Sequence, residues 1–77
     1  MALIARFTET AKDRNQVHDP VECGYLVFED GGERYLQLDT YGSPDRVVPG
    51  KVSQSIQFDA QAAAALKRLI DQTFPGV

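Results

Sequence analysis

Three tyrosines, two glutamines and two serines recur at alternate positions in the middle of this 77-residue chain: Tyr25, Tyr35, Gln37, Tyr41, Ser53, Ser55 and Gln57. Successive side chains of a strand point to opposite faces, so spacing by two gathers these groups on one side of a sheet. Rings on such a face can stack on unpaired bases, each stack worth about 1–3 kcal/mol, and need no particular sequence. The amides and hydroxyls can hydrogen-bond bases or sugars. Arg34, Arg46 and Lys51 fall at strand ends or in a connecting loop, where they can meet phosphates. These ten residues make a candidate surface for single-stranded DNA or RNA. The same pattern fits a protein interface, where tyrosine is favoured. It also fits a merely solvated face, because tyrosine is a good strand former and tolerates half-exposure.

Other constellations fall short of chemistry. In the run Pro49-Gly50-Lys51-Val52-Ser53, Val52 takes the hydroxyl position of a phosphate-binding loop, and a strand rather than a helix is expected to follow. Asp45 has no second acidic residue shortly before Lys51, where Pro49 and Gly50 stand, so a nuclease-type divalent-metal site is not formed. His18 and Cys23 are single, whereas metal sites need several ligands at short spacing. We expect His18 to be a turn residue and Cys23 a small buried group. Asp39, the lone carboxylate in the middle of a strand, is expected to pair with Arg46 or Lys51 across a hairpin. No nucleophile–base pair emerges, so neither an enzyme nor a cofactor is expected.

These side chains need elements to hold them. "YLVFED" and "ERYLQLDTY" are rich in strand formers and flank Gly31-Gly32, a two-residue hairpin signal. "GSPDRVVPG" makes a longer turn, in which Val47 and Val48 suggest a strand stub, and "KVSQSIQF" completes a meander. Asp59 is placed to cap a helix, and Ala62, Ala63, Leu66, Leu69, Ile70 and Phe74 recur on one helical face until Pro75-Gly76. The expected architecture is α+β: an antiparallel meander of three to four strands backed by one C-terminal helix. Residues 1–20 form an N-terminal segment and connector, 21–58 the meander and 59–74 the helix. Residues 1–10 fit strand and helix equally, since Leu3, Ala5 and Phe7 alternate while Leu3, Ile4, Phe7 and Ala11 share a helical face. Leu26, Phe28, Leu36, Leu38, Val52, Ile56 and Phe58 are expected to line the helix-covered side. Tyr25, Val27, Tyr35, Gln37, Asp39, Tyr41, Ser53, Ser55 and Gln57 then take the open side.

The totals set bounds. The length allows one domain, and a chain this small hides a modest share of its surface, which favours a homodimer. The small residues Ala62 and Ala63 suggest that the helix takes part in that interface. A net charge of −3 argues against binding duplex nucleic acid by neutralising phosphates, although a local basic rim is compatible with it. One cysteine, no basic leader and no long apolar run predict a cytoplasmic protein with no membrane partner.

The order of strand, glycine turn, strand, Pro-Gly-Lys turn, strand and helix resembles the single-stranded-DNA-binding domain of the positive cofactor four coactivator family and its small bacterial relatives. The similar stretches are "RYLQLDTY" and "PGKVSQSIQFDAQAAAALKRLI", about Arg34 to Ile70. That resemblance implies a homodimer whose sheets hold single strands, with Tyr35, Gln37, Tyr41, Lys51 and Ser53 as contacts. The chain lacks the tryptophan that such relatives carry in the helix, and its sheet is acidic at Glu29, Asp30, Glu33 and Asp39. The run "YLQLDTYGS…GKVSQSIQFD" is also similar to short bacterial proteins of unassigned role, some labelled methionyl-tRNA formyltransferase. Formyl transfer needs a folate pocket and an acid/base site, and one unsupported histidine supplies neither. Single-stranded nucleic-acid binding is therefore the leading expectation, with a protein-interaction or accessory module as the alternative.

Overall fold

The structure is a computed structural model and describes residues 1–42 and 51–77. Its elements are β1 (Ala2–Leu3), β2 (Cys23–Asp30), β3 (Glu33–Tyr41), β4 (Val52–Phe58) and α1 (Ala60–Thr73). They form a four-stranded sheet in the order β1-β4-β3-β2 with one helix against it, the expected α+β arrangement. β3 runs antiparallel to both β2 and β4, whereas β1 lies parallel to β4. The suggested stub at Val47 and Val48 lies outside the described residues.

The hairpin between β2 and β3 is governed by two glycines. Gly31 and Gly32 both have positive φ, 59° and 81°, the conformation that a tight primed turn needs and that side chains disfavour. So short a turn leaves no freedom in register: Asp30 faces Glu33, Phe28 faces Tyr35, Leu26 faces Gln37 and Tyr25 faces Leu38. On the other side of β3, Leu36 faces Phe58, Gln37 faces Gln57 and Asp39 faces Ser55. A register shift at Thr40 and Tyr41 brings Tyr41 opposite Val52.

Directly opposed residues share a face, and this corrects the expected sides of β2. Leu26 and Phe28 lie with Gln37 and Tyr35, on the polar side. Tyr25 and Val27 lie with Leu36, Leu38, Ile56 and Phe58, on the apolar side. Alternation within β2 is compatible with either choice. The two-residue turn decides between them.

Asp59 caps α1 as expected, its carboxylate accepting a hydrogen bond from the Ala62 amide at 2.8 Å. The Phe74 amide closes the other end by donating to the Ile70 carbonyl, and Gly76 follows with φ 91°. The helix lies against β4, where Phe58 and Ala62 are the buried apolar side chains among the described residues. Ala62 is thus covered within the protomer itself. The helix does not reach across the whole sheet. Ile56, expected to be enclosed, stays 37% exposed, and Leu69, Ile70 and Phe74 are exposed along the helical stripe.

The N-terminal ambiguity resolves as a short strand. Ala2 and Leu3 align with Ile56 and Gln57, and the Ile4 amide adds a bond to the Gln57 carbonyl at 2.9 Å. An open edge on β4 supplies what a two-residue strand could not form alone. Residues 5–22 then run without helix or strand and are exposed. Phe7 anchors them by stacking on Phe58, with ring centroids 6.5 Å apart. This packing makes Phe58→Ala the most damaging single change, expected to cost about 3–5 kcal/mol, against about 2 kcal/mol or less for the half-open Ile56→Ala. Urea denaturation of both variants checks that order.

Candidate nucleic-acid interface

The open side of the sheet is organised by a chain of polar contacts across β3 and β4. Gln57 donates through Nε2 to Gln37 Oε1 at 2.8 Å, and Gln37 donates through its own Nε2 to Asp39 Oδ1 at 2.9 Å. Ser55 Oγ donates to the same Asp39 oxygen at 2.6 Å. The register makes this possible, since Gln37 faces Gln57 and Asp39 faces Ser55 on one side of the sheet. Ser55 is buried at 4% exposure, and its hydroxyl is satisfied by that one short bond.

Asp39 is the electrostatic centre of this side. The Ser55 hydroxyl first, and the Gln37 amide second, stabilise its ionised form and hold its pKa below the ordinary aspartate value of 3.8. Among the described residues its partners are these neutral donors, and no bond to Lys51 stands beside them. Arg46 lies outside the described residues, and Lys51 is exposed just before β4.

Two aromatic groups flank the polar ladder. Tyr35 stacks on Phe28, centroids 5.4 Å apart, at the hairpin end. Towards the other end, Tyr41 lies over Gly24. A Cβ at Gly24 would come within 2.9 Å of the Tyr41 hydroxyl, so the absence of a side chain there admits the ring.

Of the ten candidates, Tyr35, Gln37, Tyr41, Ser55 and Gln57 are brought together on this side. Two are not. Tyr25, 77% exposed, faces away on the apolar side because the hairpin register puts it opposite Leu38. Arg34 sits opposite Glu29 on that same side, and its Nε and Nη2 both bond Glu29 Oε1, at 3.2 and 3.0 Å. Ser53 is exposed beside the register shift of β4. The residues that alternation alone overlooked are Leu26 and Phe28, which bring apolar surface to the polar side. Arithmetic on the Gly31-Gly32 turn reveals them. Cys23 is exposed rather than buried, because it begins β2 at the open edge of the sheet, and His18 is exposed in the N-terminal segment.

Chemically, this side is a hydrogen-bonded surface with a carboxylate at its centre. Much of the donor capacity of Gln37, Gln57 and Ser55 is spent internally. The nearest guanidinium in sequence, on Arg34, is neutralised on the opposite side. Among the described residues no group of three or more His, Cys, Asp or Glu side chains is placed to hold a metal ion, and no helix is long and apolar enough to cross a membrane. Comparison with protein-family models, with curated proteins and with solved structures yields no match for this chain.

The Asp39 ladder has a pH signature. A carboxylate with a depressed folded-state pKa adds stability that is fully present above its unfolded value and is lost as pH falls through the folded value. Wild-type protein should therefore lose stability below pH 3.8, whereas Asp39→Asn should lack this component of the acid sensitivity. Melting curves of both proteins at successive pH values read the difference directly.

Proposed function

We propose that this chain is a protein-interaction module that works as an assembly of at least two copies. The observation that carries this reading is the uncovered half of the apolar side. With α1 over β4, Val27 is left 59% exposed, in a trough where Leu36, Phe58, Ala60 and Ala63 are joined by Arg34, Tyr35 and Asp59. A second copy is the partner for which the chain itself supplies matching apolar surface.

The stacked Phe28–Tyr35 pair favours a second reading, single-stranded nucleic-acid binding by the polar side. Charge opposes it. β2 and β3 carry Glu29, Asp30, Glu33 and Asp39 against Arg34 alone. Titration with labelled single-stranded DNA at low salt separates the two. The interaction module predicts no measurable affinity. Nucleic-acid binding predicts saturable binding that Tyr35→Ala weakens by about 1–3 kcal/mol. Sedimentation equilibrium completes the test. A species of twice 8.5 kDa is expected, and a monomer at every concentration would overturn the assembly.

A further inference from the structure

β2 is the outer strand of the sheet, with β3 on one side and no described strand on the other. Eight residues long and in regular register, it carries its charged residues, Glu29 and Asp30, only at its C-terminal end. It contains no proline, no lysine and no bulge, and its middle is Tyr25-Leu26-Val27. Unpaired amides and carbonyls along such an edge template pairing with another strand. The exposed apolar side chains lie on both faces of this strand, Tyr25 and Val27 on one and Leu26 on the other. A face-to-face contact would cover one set only. A strand laid alongside would cover the flanks of both.

Taking a second copy as the partner, as in the reading above, we infer that two chains join through their β2 edges, antiparallel about a two-fold axis at Val27. The register follows from charge and apolar matching. Centred on Val27, the pairing sets Val27 against its own copy, Leu26 against Phe28, Tyr25 against Glu29 and Gly24 against Asp30. No acidic residue then faces another, and the apolar middle residues face each other. Centring on Leu26 instead would bring Asp30 opposite Glu22, a like-charge pair. The product is a continuous eight-stranded sheet. Because the axis is perpendicular to the sheet, the apolar sides of both copies lie on the same surface, with a helix over each β4. The pairing covers the flanks of Tyr25, Leu26 and Val27 and joins the two troughs into one broader apolar surface.

Cysteine cross-linking tests this geometry. In a Cys23→Ser background, Val27→Cys sets two thiols on directly opposed residues, whose Cα atoms in an antiparallel pair are about 4.5–5.5 Å apart, within disulfide range. Tyr25→Cys on the same exposed edge is the comparison, since Tyr25 faces Glu29 and not itself. Under mild oxidation Val27→Cys should form the covalent dimer about tenfold faster or more, as expected for thiols held at high effective concentration. Equal rates at the two positions, in a protein that sedimentation shows to be dimeric, would overturn the edge pairing and leave the assembly standing. A protein that sediments only as a monomer would overturn both.

Discussion

The two-residue turn at Gly31-Gly32 is the constraint on which the rest of the sheet depends. Positive φ at both glycines closes the hairpin with Asp30 against Glu33, and every later pairing of β2 with β3 follows without a choice. That register sends Tyr25 and Val27 to the apolar side and Phe28 to the polar side. It also puts Arg34 beside Glu29, where the charge pair is exposed and worth little to stability. A turn one residue longer would exchange the two faces of β2.

Two surfaces of different character result. The polar side is internally ordered: Gln57, Gln37, Ser55 and Asp39 satisfy one another, and the carboxylate sits at their centre. Such a network links β3 to β4 across one register. The apolar side is unfinished. One helix of 14 residues covers β4 and leaves the β2 half of the sheet open. Small domains commonly complete a core of this kind by association.

Much of this was legible in the residues, and the failures have physical causes. The glycine turn and the Asp59 cap depend on local chemistry, and each stands where the spacing places it, whereas Leu69, Ile70 and Phe74 of the expected helical stripe stay exposed. The faces of β2 depend on pairing. Leu26 and Phe28 invite assignment to the core by hydrophobicity, but only the count of residues through the turn reveals that they lie with Gln37 and Tyr35. Residues 1–10 read equally as strand and helix because two residues form a strand only when β4 offers an edge. Half of the candidate site, Tyr35, Gln37, Tyr41, Ser55 and Gln57, is gathered by simple alternation. Tyr25 and Arg34 leave it for the register reason, and the burial of Ser55 has no signature in its own residue type.

Coverage of the β2 edge in solution is the most direct consequence of pairing between two copies. Hydrogen exchange of backbone amides, followed by NMR over a range of protein concentrations, reads this at single residues. In β2, amides alternate between bonding β3 and pointing outward. Association through this edge predicts that the outward-pointing set becomes protected as concentration rises, while β3 amides stay protected throughout. Outward β2 amides that exchange at the unprotected rate at every concentration would contradict it.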